Sequence, residues 1–120
     1  MIGHLTDVPS SDQHTVKPWF NGKVDFSPEV KDLSGEGFAL IGGRLDYIDN
    51  REVAALVYQR RKHIVNLFTW PSTNGSGPAE ESITRQGYHL SSCRSGEMTN
   101  WAVSDLNLVE LEQFVELIRK

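Results

Sequence analysis

The run FALIGGRLDYIDNREVAALVYQRRKHIVNLFTW, residues 38–70, decides the fold of this chain. It is rich in β-branched and aromatic residues, and two short polar joints divide it into three segments. We therefore predict strands over 38–48, 52–59 and 63–70. Because neither joint is long enough for a crossover helix, the three strands must be antiparallel neighbours.

Two glycines, Gly42 and Gly43, interrupt the first of these strands. A glycine pair inside a strand is typical of a β-bulge or of a place where another backbone passes closely. Beyond the third strand, residues 71–81 are rich in Ser, Gly, Pro and Glu and predict a loop that is accessible to a protease. A second hairpin is then predicted, with strands over 83–94 and 98–104.

A short helix is predicted near the N-terminus, in the stretch that contains HTVKPWF. Thr15 is the predicted N-cap, Pro18 falls within the first turn, and Gly22 ends the helix. The spacing i, i+3, i+4 then creates one apolar face that should pack on the sheet. That face consists of Val16, Trp19 and Phe20.

A stronger helix signal lies at the C-terminal end of the chain. Asn107 is the predicted N-cap, and Glu110 is its capping-box partner. Apolar residues then repeat at the helical period, at Leu111, Phe114, Val115 and Ile118. The whole pattern predicts an α+β fold: a five-stranded, meander-like antiparallel sheet with a short N-terminal helix and a C-terminal helix packed on it.

Length and charge restrict the function of the chain. Its 120 residues suffice for one domain, which we place at 14–120 after a short polar tether at 1–13. The net charge of −4 argues against a nucleic-acid partner, because phosphate binding needs a basic face. The longest apolar run, 53–58, is far too short to cross a bilayer. The single cysteine, Cys93, excludes an internal disulfide.

No complete catalytic motif is present, so we do not expect an enzyme, and no cofactor is indicated. A metal site formed by His14, His63 and His89 is one alternative. His4 and Cys93 are also ligand-type residues, but His89 and Cys93 would lie ~13 Å apart along a strand, too far to share one tetrahedral ion. Cys93 as a redox-sensing thiol would need a neighbouring cation or a resolving cysteine, and the sequence indicates neither.

The aromatic residues leave a further alternative open. Trp19, Phe20, Trp70 and Trp101 either line a groove for a small ligand or pack in the core. We take a partly overlapping set as candidates for ligand binding or signal coupling. These candidates are His14, Lys17, Trp19, Phe20 and Trp101.

Several motifs of the chain resemble the extracytoplasmic domain of single-pass transmembrane anti-sigma factors, also called transmembrane transcriptional regulators. The resemblance runs from about His4 to Ile118 and is carried by HTVKPWFNGKVDF (14–26), GGRLDY (42–47), AALVYQRR (54–61), HIVNLF (63–68), GY (87–88) and WAVSDL (101–106). It implies a periplasmic sensor domain at the inner membrane. It also implies a transmembrane helix and a cytoplasmic segment that binds an extracytoplasmic-function sigma factor, both missing from this chain.

Overall fold

The computed structural model describes residues 6–48, 50–72 and 81–120. These ranges contain seven strands, two α-helices and one 3-10 turn. The elements in chain order are β1 (Val8–Pro9), α1 (Gln13–Phe20), the 3-10 turn (Ser34–Glu36), β2 (Ala39–Ile48), β3 (Arg51–Arg60), β4 (His63–Pro71), β5 (Glu81–Arg85), β6 (Tyr88–Ser95), β7 (Met98–Ser104) and α2 (Leu108–Arg119). No helix in these ranges is long and apolar enough to cross a membrane.

All seven strands form one antiparallel sheet in the order β1-β2-β3-β4-β7-β6-β5. The α+β class, the antiparallel sheet and the two helices are therefore confirmed. The predicted number of five strands is wrong, because Val8–Pro9 adds a strand and the predicted strand over 83–94 is a hairpin. Gln86 and Gly87, with φ of 52° and 83°, form the two-residue turn of that hairpin.

The order of the strands also departs from a simple meander. The neighbour of β4 is β7, the last strand in the chain, and the β5–β6 hairpin lies outside it. In the pairing of β4 with β7, Phe68 lies opposite Trp101. The three strands predicted over 38–70 and the second predicted hairpin therefore join through β4 and β7, which leaves β5 as an edge strand.

Helix α2 covers one face of the sheet as its periodicity predicts. The Asn107 side chain accepts a hydrogen bond from the Glu110 amide at 2.9 Å, so the predicted N-cap is confirmed. The apolar side of the helix is buried at all four predicted positions, Leu111, Phe114, Val115 and Ile118. These residues complete one hydrophobic core with the inward-facing residues of β3 and β4.

Helix α1 begins earlier than predicted. Its N-cap is Asp12 rather than Thr15, because the extended Asp12 places its carboxylate to accept from the His14 amide at 2.9 Å. Pro18 consequently lies inside the helix and not in its first turn, and Asn21 rather than Gly22 is the C-cap. The predicted apolar face does pack on the core, with two members fully buried and Trp19 half-buried.

Both predictions for the glycine pair of β2 are confirmed. The register shifts between Leu40 and Gly42, which marks a β-bulge. The backbone of β1 also passes so close to Gly42 that a β-carbon there would overlap the carbonyl oxygen of Val8. Residues 8 and 9, within the segment predicted as a tether, are therefore paired with the sheet.

Some predicted features fall outside the residues that the structure describes. These are His4, Asp49 in the first of the two polar joints, and residues 73–80 of the predicted protease-accessible loop.

Candidate functional site

The face of the sheet opposite the two helices carries a cleft of about 360 Å³ with mostly apolar walls. We call it the aromatic cleft. Its lining residues are Ile48, Phe68, Trp70, Leu90, Trp101 and Val103. All six side chains are apolar or aromatic, so the cleft offers a ligand mainly hydrophobic contacts.

Strand register explains why these aromatic residues share a face. Phe68 of β4 lies directly opposite Trp101 of β7. The next pair along, Leu67 and Ala102, belongs to the core beneath the helices. Because side chains alternate along a strand, Phe68 and Trp101 must point to the other face.

Curvature of the sheet converts this face into a cleft. Ile48 on β2 and Leu90 on β6 line the same space, although four strand-to-strand steps separate β2 from β6. In a flat sheet those steps would place the two strands ~19 Å apart. Between them, β3 presents Val53 and Ala55 to this face, and both are fully buried.

A buried arginine adjoins the cleft. The guanidinium carbon of Arg44 is 5.6 Å from the centroid of the Phe68 ring, and only 7% of the residue is exposed. Arg44 donates from Nη1 to Asn66 Oδ1 at 2.6 Å and from Nη2 to Asp46 Oδ2 at 3.2 Å. The Phe68 ring thus contacts a cation on its own face of the sheet, and Asp46 balances the charge of that cation.

The four aromatic residues that are predicted either to line a groove or to pack in the core lie on two sides of the sheet. Trp19 packs edge-to-face on Phe20, with ring centroids 5.0 Å apart, on the helix-covered side. Trp70 and Trp101 line the aromatic cleft on the opposite face. The groove therefore contains only half of the predicted set, and Phe68, which shares the face of Trp70 two residues away, completes it.

The remaining signal-coupling candidates belong to the anchorage of α1. The Lys17 ammonium donates to the carbonyl of Pro28 at 2.8 Å and to Ser27 Oγ at 3.2 Å, which ties the helix to the connection that follows it. His14 projects into solvent, with 87% of its side chain exposed, beside Asp12. Neither residue is at the aromatic cleft.

The metal alternative gains no support from the described residues. His63 Nδ1 is 2.9 Å from Asp105 Oδ1, whereas His89 Nδ1 is 2.7 Å from Thr84 Oγ1, so each of these rings has its own partner. Within 6–48, 50–72 and 81–120, no group of three or more His, Cys, Asp or Glu side chains could hold a metal ion.

The lone thiol of the chain lies in the core. Cys93 is 2% exposed, and burial raises the pKa of its thiol above the usual value. A raised pKa disfavours the reactive thiolate that a redox sensor needs.

No protein-family model, curated protein or solved structure matches the chain.

Proposed function

We propose that this chain is the extracytoplasmic regulatory domain of a single-pass inner-membrane anti-sigma factor. In this proposal it is a non-enzymatic periplasmic domain, and its state controls the release of an extracytoplasmic-function sigma factor. The sigma factor is bound by a cytoplasmic segment, and a transmembrane helix connects the two parts. The resemblance of the motifs supports the family, and the contacts of the N-terminal segment support the coupling.

The observation that carries the proposal is the docking of β1 on β2. The Asp7 amide donates to the Gly43 carbonyl at 2.7 Å, and the Ser10 amide donates to the Ile41 carbonyl at 3.1 Å. The Asp7 carboxylate also accepts from the Leu45 amide at 3.0 Å. A chain that arrives from a membrane helix would thus be fixed to the sheet directly before α1.

Helix α1 reinforces the same part of β2. The ring of Phe20 packs on Gly43, next to the glycine over which β1 passes. Because β2 is hydrogen-bonded along its length to β3, a displacement at β1 or α1 acts on the central strands and not on a free end. This arrangement suits a domain whose folding state must be sensed at its point of attachment.

Co-purification tests the division of labour. The parent protein with its cytoplasmic segment should retain the sigma factor, and residues 1–120 alone should not. The cytoplasmic segment expressed alone is the positive control. Direct and saturable binding of the sigma factor to residues 1–120 would overturn the proposal.

A reporter gene driven by the sigma factor tests the coupling. In the parent protein, Gly42→Val should detach β1 from β2 and change the unstimulated reporter level, because the close approach of Val8 leaves no space for a side chain. Gly35→Val is the matched control, since nothing lies within 4 Å of a β-carbon at residue 35. An unchanged reporter level, with the variant present at normal abundance, would contradict the coupling.

A second candidate function is favoured by the aromatic cleft. Its volume and its apolar lining suit a small apolar or aromatic molecule, so the domain would sense a ligand. Anilinonaphthalene sulfonate can serve as the probe, with its fluorescence followed during titration. Trp101→Ala should abolish saturable binding, whereas Trp19→Ala, on the opposite face, should preserve it. Equal binding by both variants would exclude the cleft as the site.

A further inference from the structure

Strand β5 is an edge strand that faces solvent along its whole length. All five of its residues, Glu81–Arg85, are exposed, and in the described part of the chain it pairs only with β6. Its charged side chains stand only at its two ends, Glu81 and Arg85, and it contains no proline, lysine or bulge. The opposite edge strand, β1, has only two residues and includes Pro9.

The β5–β6 turn determines which backbone groups point outward. In a two-residue hairpin the residues that flank the turn, here Arg85 and Tyr88, form a hydrogen-bonded pair. Pairs then alternate, so the amide and carbonyl groups of Glu81, Ile83 and Arg85 point toward β6. Those of Ser82 and Thr84 point away from the sheet and can bind another strand.

The sequence of β5 is complementary to itself in one register. We propose that β5 pairs antiparallel with β5 of a second copy of this chain, with Ile83 opposite Ile83 on the two-fold axis. Ser82 then lies opposite Thr84 of the second copy, which brings the outward backbone groups together. Glu81 lies opposite Arg85 of the second copy, and the symmetry repeats this ion pair.

Neighbouring registers lose this complementarity. A shift that places Ser82 opposite Ser82 or Thr84 opposite Thr84 still aligns the outward groups, but it puts a charged residue opposite Ile83. The chosen register alone covers the partly exposed Ile83, at 39% exposure, with its own copy. Ile83 lies on the side of the aromatic cleft, opposite Leu90, so the two clefts would open on the same face of a continuous sheet.

Charge exchange tests the dimer and its register by sedimentation equilibrium over a range of protein concentrations. The natural chain should dimerise reversibly. Glu81→Arg and Arg85→Glu each replace both ion pairs by like charges, so each variant alone should dimerise at least about tenfold more weakly. An equimolar mixture of these variants should restore dimers, since every opposed pair is then of opposite sign. The double variant Glu81→Arg/Arg85→Glu should also dimerise, because its exchanged charges again lie opposite charges of the other sign.

A disulfide between residue 83 of one copy and residue 83 of the other provides an independent test, because these residues meet on the proposed two-fold axis. In a Cys93→Ser background, Ile83→Cys should form a covalent dimer under mild oxidation, because residues of a non-hydrogen-bonded pair have α-carbons only about 4.5 Å apart. Ser82→Cys is the matched control and should not cross-link efficiently, as it faces Thr84 and not itself. A monomeric natural chain, or a dimer insensitive to the charge variants, would overturn the proposal.

Discussion

Phe20 packs so closely on Gly43 that a β-carbon at residue 43 would lie 2.8 Å from the ring atoms Cε2 and Cζ. The adjacent Gly42 has a φ of 149° and lies under the backbone of β1. The glycine pair therefore has two separate purposes: one residue accommodates an aromatic ring of α1 and the other accommodates a strand. Together they allow β1 and α1 to pack on the sheet.

Gly43→Ala should destabilise the domain by about 1–3 kcal/mol, because the new methyl group meets a fully buried ring that has little space to move. Urea unfolding followed by tryptophan fluorescence measures the change. Gly22→Ala is the control, since a β-carbon at residue 22 meets nothing within 4 Å, and it should change stability by less than about 0.5 kcal/mol. Equal stabilities of the two variants would contradict the tight packing of Phe20.

Gly42→Ala should release β1 while leaving the central strands paired. The substitution is disfavoured both by the positive φ and by overlap with the Val8 carbonyl. The amides of Asp7 and Ser10, which bond to β2, should then exchange with solvent at least about tenfold faster. The amide of Leu56, at the centre of β3, serves as the internal control and should keep its protection. Preserved protection at residues 7 and 10 would show that β1 does not depend on this glycine.

The parts of the fold that could be predicted from sequence are those with local signals. Helix α2 is predicted by its N-cap, Asn107, and by apolar residues that repeat at the helical period. The short turns between β2, β3 and β4 predict that these strands are antiparallel neighbours. The N-cap of α1 cannot be chosen from local signals alone, because Ser10, Ser11, Asp12 and Thr15 are all favourable N-cap residues, and the structure places Asp12 there. The Gln86–Gly87 turn lacks the stronger Asn-Gly signal, so local sequence does not divide residues 83–94 into two strands.

The aromatic cleft could be predicted only in part. Its tryptophans on β4 and β7 were identified, but the face they occupy depends on the pairing of Phe68 with Trp101, 33 positions apart in the chain. Period-two alternation assigns residues to faces only when strand neighbours are known. The sequence therefore does not show that Trp101 and Trp19 lie on opposite sides of the sheet.

Lys31→Met should loosen the end of α2. The ammonium group donates to the carbonyls of Leu117 at 3.1 Å and Ile118 at 3.0 Å, where the helix dipole is negative. Loss of these bonds should cost about 1–2 kcal/mol in urea unfolding. Lys62→Met, at the exposed β3–β4 turn, is the control and should be nearly neutral. If both variants have the same stability, Lys31 does not cap the helix.

Glu110→Gln should change how stability depends on acid. Hydrogen bonds from Arg61, with a further contribution from Arg60, lower the pKa of Glu110 below its ordinary 4.5. A lowered folded-state pKa gives a contribution that is present above the unfolded value and is lost as pH falls through the folded value. The natural chain should thus be more stable than the variant at neutral pH, and the difference should shrink as pH falls below about 4.5. Glu97→Gln is the exposed control, and a difference that stays constant with pH would contradict the ion pairs.

Tyr58→Phe should have the opposite pH dependence. Burial raises the pKa of Tyr58 above its ordinary 10.0, and its hydroxyl donates to the Lys31 carbonyl at 2.8 Å. At about pH 8, loss of this bond should cost about 1 kcal/mol.

Above about pH 10 the unfolded tyrosine ionises while the folded one stays protonated, so the natural chain loses stability and its advantage over the variant shrinks. Tyr47→Phe, at an exposed tyrosine, should show no such trend. Urea unfolding at about pH 8 and about pH 11 measures both effects, and a gap that does not change between them would show that Tyr58 is not held protonated by the core.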